Sequence, residues 1–193
     1  MPDLNDTLEM LGLDNQLTLE DIPDIDLYMD QVIQLFEKKF SSSRRNEQEK
    51  VLTKTMINNY AKGKLFFPIK NKKYSKEHLI LISLIYQLKG ALSINDIKAT
   101  LDGLSKKTAE GDIDLDTFYN SYLHLSNKNG ERFKQDLHHR AKEATEEIGE
   151  INDSEYLEKT LLIASLVDIS NLYRRAAEKL IDEITESKEN KIK

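Results

Sequence analysis

Near the end of the chain, Leu162, Leu166, Ile169, Tyr173, Ala176 and Leu180 follow one another in alternating steps of 4 and 3 residues. That rhythm describes a helix with a single apolar seam, the kind that lies along another helix. It predicts a helix over about 155–186, after a break and cap at Asn152 to Ser154. The seam needs a partner helix, supplied by the same chain or by a second copy.

Shorter stretches with helical spacing fill the rest of the chain. Thr18 with Asp21 reads as a capping signal for one short turn, stopped by Pro23. Asp24 or Asp26 is placed to cap a helix carrying Leu27, Met29, Val32, Ile33, Leu35, Phe36 and Phe40. Lys38 and Lys39 close it at the negative end of its dipole. A polar loop with Arg44 and Arg45 covers 41–46. Thr53 then caps a short helix holding Met56, Ile57 and Tyr60, and Gly63 is the predicted stop. Residues 65–69 suit extended backbone because Pro68 forces it on Phe67. A charged turn follows at 70–73, so 65–74 reads as a small hairpin or wing. Ser75 caps a strongly apolar helix through Leu88, and Ser93 with Asp96 caps another through Leu104. Leu115, Phe118, Tyr119, Tyr122 and Leu123 open a further helix, in which Gly130 is a candidate break. No βαβ rhythm or internal repeat occurs.

The predicted fold class is therefore mainly α with a small β wing. The expected division is an N-terminal extension over 1–23, a winged domain over 24–107, a helical dimerisation or regulatory region over 112–187, and a flexible tail over 188–193.

At 193 residues and 39% hydrophobic content the chain can bury a sizeable core. It contains no cysteine, which excludes disulfides, iron–sulfur clusters and thiolate zinc sites. The acidic start lacks the basic and apolar runs of a signal peptide, and no apolar run is long enough to span a bilayer. A cytoplasmic protein without a membrane partner is expected. The net charge of −6 hides an asymmetry. Residues 38–89 carry 13 Lys or Arg against 3 acids, a net of +10, and the remainder carries −16. A one-sign field of this size suits a docked polyanion, although a solvated lysine-rich face has the same composition.

The basic segment has residues that carry a resemblance. Thr53, Lys54, Met56, Ile57, Asn58, Asn59, Tyr60 and Lys62, followed by Leu65, Pro68, Lys72, Lys73, Tyr74, Ser75, His78, Leu79, Leu92, Ser93, Ile94 and Ile97, resemble the domain of unknown function 1836 family, over about 22–104. The same segment resembles the DNA-binding domain of MerR-type regulators. Ile57 to Tyr60 matches their recognition helix, with Asn59 where an aromatic is usual. Lys72, Lys73 and Tyr74 match the wing, and Leu92, Ser93 and Ile94 match the start of a later helix. The resemblance implies a winged helix-turn-helix and a bacterial transcription regulator binding double-stranded DNA. Two features depart from the MerR pattern. About twelve polar residues replace the short turn before the recognition helix, and the cysteine-bearing metal loop of metal-sensing members is missing, so metal sensing is not implied.

On this reading the DNA-contacting residues are Thr53, Lys54, Asn58, Asn59, Lys62, Lys64, Lys70, Lys72, Lys73 and Tyr74. Asn pairs with adenine in two hydrogen bonds, and Lys reaches guanine or phosphate. Tyr74 either offers its hydroxyl to phosphate or packs its ring. His78 reaches phosphate or caps a turn. Phe66 and Phe67 could stack on single-stranded bases, but their place before Pro68 favours a hydrophobic anchor for the wing. Leu162, Leu166, Ile169, Tyr173 and Leu180 are the expected homodimer contacts. Phe118, Tyr119, Tyr122 and Phe133 suit a core, or a pocket for an unidentified small effector.

Catalysis is not expected. His138 and His139 are adjacent and face different sides of a helix. No pair of carboxylates stands out as acid and base, and the glycines are isolated rather than grouped in a phosphate-cradling loop. No metal or cofactor is expected. The rival reading is a non-catalytic interaction or structural module whose basic face binds an acidic partner, such as the chain's own acidic half.

Overall fold

A computed structural model describes residues 4–149 and 153–189. In chain order it contains α1 (Leu4–Met10), β1 (Leu27–Tyr28), α2 (Met29–Phe40), α3 (Lys54–Lys62), β2 (Lys73–Tyr74), α4 (Lys76–Leu88), α5 (Ile94–Glu110), α6 (Leu115–Ile148) and α7 (Ser154–Glu189). One-turn 3-10 helices stand at Leu19–Asp21 and Ser41–Ser43. The two short strands pair antiparallel, Leu27 with Tyr74 and Tyr28 with Lys73. No helix among the described residues is long and apolar enough to cross a membrane.

The core is built around α4. Every residue from His78 to Ile85 is buried, as a helix apolar on all sides requires. Val32, Phe36 and Phe40 of α2, Ile57 and Tyr60 of α3, Ile97 and Leu101 of α5, and Leu115, Tyr119 and Leu123 of α6 surround it. Leu17 and Ile22 belong to the same cluster. A buried polar chain ties these parts together. The Tyr119 hydroxyl donates to the Leu17 carbonyl at 2.7 Å and lies 2.8 Å from Ser83 Oγ, which donates to it. Burial pushes the Tyr119 hydroxyl up to about 12.

Five sequence-based expectations are corrected. Leu27 and Tyr28 are strand, not helix, because their backbone pairs with residues 73–74; the Tyr28 N–H donates to Gln31 Oε1 as α2 begins. The helix over 94–104 runs on to Glu110, where Gly111 closes it at φ +78. Gly130 does not break α6, since one glycine costs a helix only about 1 kcal/mol. The core crosses both expected domain edges, taking Leu17 from the extension and Leu115, Tyr119 and Leu123 from the helical region. Lys188, placed in the flexible tail, lies in α7 and donates to the Ala99 carbonyl and to Asp102, both at 3.2 Å. The expected break at Asn152 and the tail beyond 189 lie outside the described residues.

α6 and α7 form an antiparallel hairpin. Thr145 meets Glu158 at 3.0 Å and Arg140 meets Ser165 at 3.4 Å, so residue numbers fall on one helix as they rise on the other. Ala141 and Ala144 of α6 bury Leu162, with Leu166 packed beside them. Leu162 and Leu166 of the α7 seam therefore have their partner within the chain.

The 13-residue connection between α2 and α3 is pinned at both ends. Arg44 pairs with Glu37 at 2.8 Å, which occupies one of the two loop arginines. At the other end Val51 and Leu52 are buried, and Lys89 Nζ donates to the Val51 carbonyl at 3.0 Å while lying 4.4 Å from the Tyr86 ring.

Candidate functional site

α3 starts where the Thr53 side chain accepts from the Met56 N–H at 3.1 Å, a cap that satisfies one of the free donors of its first turn. Ile57 and Tyr60 anchor the helix in the core. Lys54, Asn58, Asn59 and Lys62 are all exposed. Lys54 Nζ lies 2.7 Å from Asp30, and both side chains are mostly in water. A pair of this kind adds little stability and is readily exchanged for another anion.

The end of α3 differs from the expectation that Gly63 makes the turn. Gly63 has φ −70, and the left-handed residue is Lys64 at φ 55. The Leu65 N–H donates to the Tyr60 carbonyl at 3.0 Å and the Lys64 N–H to the Ala61 carbonyl at 3.1 Å, the paired bonds of a Schellman closure. Leu65 and Phe66 then enter the core.

The turn at 70–73 is closed by the Lys73 N–H donating to the Lys70 carbonyl at 2.9 Å. Asn71 and Lys72 at its centre have φ 51 and 59, the sign pattern of the tight hairpin turn that fits strand twist. Lys64, Lys70 and Lys72 are exposed, while Lys73 is half-buried with Nζ 5.2 Å from the Tyr28 ring. Tyr74 is corrected. It is only 2% exposed, with Phe66 and His78 edge-on at 6.3 and 6.0 Å, and burial raises its hydroxyl pKa. A ring held this way packs the wing base and has no path to phosphate.

His78 does more than the sequence suggested. Its Nδ1 accepts from the Ser75 N–H at 3.1 Å, which leaves the ring proton on Nε2 to be donated to the Phe67 carbonyl at 3.1 Å. The imidazole thus caps α4 and holds the Phe67 end of the wing. Burial keeps its pKa below the usual histidine value. Ser75 Oγ donates to Glu77 at 2.5 Å. Ser75 Oγ also lies 2.9 Å from His78 Nδ1, so Ser75, Glu77 and His78 form one hydrogen-bonded capping group at the start of α4. The signal was present in the sequence, since His78 occupies the third helical position after Ser75, where a capping box places its reciprocal side chain.

A cleft of about 800 Å³ runs beside the wing, with Phe67, Ile69, Ile113 and Leu115 among its apolar lining and Lys70 and Lys73 among its charged lining. The aromatic group at the start of α6 is divided. Tyr119 is buried and stacks on Tyr122 at 5.8 Å, whereas Phe118 is exposed. The described residues contain no group of three or more His, Asp or Glu side chains placed to hold a metal ion.

A family model described as "Domain of unknown function (DUF1836)" matches residues 17–122, more than half of the chain. The chain belongs to this family. The DUF1836 segment starts at Leu17, the first fully buried side chain, and ends one residue before Leu123, the last member of the main core. Family match and folded core therefore coincide, and α3, the wing and the first two turns of α6 all lie inside them. Comparison with curated proteins and with solved structures gives no match.

Proposed function

We propose that the DUF1836 segment is a MerR-like winged helix-turn-helix that binds double-stranded DNA sequence-specifically, in a bacterial transcription regulator. The supporting observation is the polar face of α3. Ile57 and Tyr60 hold the helix rigidly, while Asn58 and Asn59 stand side by side in solvent with Lys54 and Lys62 at the two ends. On this reading α3 enters the major groove, the asparagines read base edges and the lysines meet phosphate.

The backbone adds support. Lys64 and Lys72 both sit in left-handed conformations that glycine would adopt with less strain. Each lysine costs the fold roughly 1 kcal/mol there, and each side chain points to solvent instead of packing. On this reading each of these turn lysines presents a cation to the DNA backbone.

A binding selection on random duplex DNA, followed by gel shifts at fixed salt, tests the proposal. The Asn58→Ala, Asn59→Ala double variant should lose about 10- to 100-fold in preference for the selected site, since each base contact discriminates by about 1–3 kcal/mol. Lys62→Ala should weaken binding to all sequences and reduce the salt dependence by about one phosphate contact. If no sequence is preferred and the double variant binds as the parent does, the segment is an interaction module for an acidic partner instead.

A further inference from the structure

Phe67, Pro68, Ile69 and Ala109 border the cleft beside the wing and also a second cleft, of about 830 Å³, bounded by the end of α3, the wing and α5. The wing side is held in place. The His78 ring bonds to the Phe67 carbonyl at 3.1 Å, and the Schellman closure of α3 sets the path into Leu65 and Phe66. The polar side comes from α5, and one group there stands out. Ser105 borders the cleft and is only 6% exposed. Thr100 and Thr108 of the same helix turn their hydroxyls onto carbonyls four residues back, at 2.7 and 2.8 Å, the usual resort of a hydroxyl on a helix. Ser105 does not, and its hydroxyl has no hydrogen-bond partner among the described residues. Nor is it sealed in, since no fully enclosed side-chain oxygen or nitrogen among those residues lacks a partner. The Ser105 hydroxyl therefore opens into the cleft with its bonding capacity unused.

We propose that this cleft binds a small organic acid, an apolar body carrying one anionic group. Charge gives the sign. Lys106 and Lys188 both reach Asp102, at 3.0 and 3.2 Å, so the acid in the middle of the α5 wall is already neutralised. Glu110 stands exposed in the last turn of α5. Lys64 and Lys98 border the cleft with no acidic partner among the described residues. Lys98, Asp102, Ser105 and Ala109 follow in steps of 4, 3 and 4, so they share one face of α5. That face runs from an unpaired cation, past a neutralised acid and an unused hydroxyl, to an apolar end. About 10 Å of helix separates Lys98 from Ser105, a gap that a lysine side chain and one carboxylate span. The acid's head then meets Lys98, Lys64 and the Ser105 hydroxyl, and its body lies against Ala109, Phe67 and Ile69. An apolar cleft with a few converging polar groups is the usual form of a small-molecule site. Lys64 stands on both this cleft and the proposed DNA face, so the test is made without DNA and its outcome leaves the DNA reading untouched.

Fluorescence titration with anilinonaphthalene sulfonate, an apolar body with one anionic group, tests it against the uncharged phenylnaphthylamine. The parent should bind the sulfonate saturably at one site per chain, and the uncharged probe at least about tenfold more weakly. Lys98→Gln should weaken sulfonate binding about three- to tenfold, and Ser105→Ala by a similar factor. Lys70→Gln alters only the lining of the first cleft and should leave binding unchanged. Ala109→Trp fills the cleft from an exposed position and should abolish it. Ser105→Ala has a second readout. An unpartnered hydroxyl stabilises nothing and alanine favours helix, so the melting temperature should hold or rise. A parent that binds neither probe saturably overturns the proposal, as does equal affinity for the two. Loss of binding in Lys70→Gln with none in Lys98→Gln places the site elsewhere and also overturns it. A lower melting temperature for Ser105→Ala would show that the hydroxyl serves the fold instead of a ligand.

Discussion

Replacing Tyr119 with Phe removes one oxygen from the deepest polar contact of the fold. The hydroxyl donates to Leu17 at 2.7 Å and accepts from Ser83 at 2.8 Å, and ring and partners are buried. Phe keeps the ring and its packing. The cost is then two hydrogen bonds and the desolvation of a carbonyl left without this donor. Ser83 can turn its proton to the helix carbonyl four residues back, which recovers part of the loss. Each net bond contributes about 1 kcal/mol, and an orphaned buried acceptor costs about 1–3 kcal/mol. The expected destabilisation is about 2–3 kcal/mol, or roughly 5–10 °C in melting temperature for a chain of this size. Urea unfolding followed by circular dichroism measures it, with the slope expected to stay unchanged. Ser83→Ala should cost less, and the double variant should cost less than the sum, because the two groups share one bond. The experiment also examines the core's extent. If Leu17, α4 and the start of α6 form one cooperative unit, the whole 17–122 transition moves together. A loss below about 0.5 kcal/mol, or a shift confined to a separate late transition, would refute this account of the core.

Gly111→Ala tests backbone strain by itself. A Cβ there meets nothing within 4 Å, yet φ is +78, so a loss of about 1–2 kcal/mol in urea unfolding is expected from the left-handed conformation alone. His78→Ala frees the Phe67 carbonyl and the α4 cap and should cost about 2 kcal/mol at neutral pH. Its pH dependence has a definite sign. Burial holds the folded pKa of His78 below its unfolded value near 6.5, so its contribution is present above about 6.5 and is lost as pH falls below that. The difference in unfolding free energy between parent and His78→Ala should therefore narrow from pH 7.5 to pH 5, and a constant difference would contradict the assigned tautomer.

Within the candidate site, whatever depended on short-range chemistry was legible in the residues. Thr53 caps α3 and Ser93 caps α5 because each oxygen accepts from the backbone N–H three residues on, and at α4 His78, three residues after Ser75, returns the bond to the Ser75 N–H. The spacing of Ile57 and Tyr60 already implied that Asn58 and Asn59 face away from the core. The helix stop near Gly63 was also local, although the strained residue proved to be the lysine after it. Tyr74 was ambiguous, since an aromatic ring with a hydroxyl suits a core as well as a phosphate, and only the arrival of Phe66 and His78 on either side decided it.

The amino-acid sequence by itself determined which segments are helical, where most of them start, and which face of α3 carries amides and lysines, because periodicity and caps act over a few residues. Tertiary structure alone decided that Leu27 and Tyr28 leave the helix to pair with residues more than forty positions away. It decided that Leu17 and Tyr119 close one core, and which part of the α7 seam is occupied. A 4-3 pattern records that a helix needs a neighbour, but not which neighbour. Ala141 and Ala144 had to come alongside Leu162 before Tyr173 and Leu180 could be seen to remain uncovered.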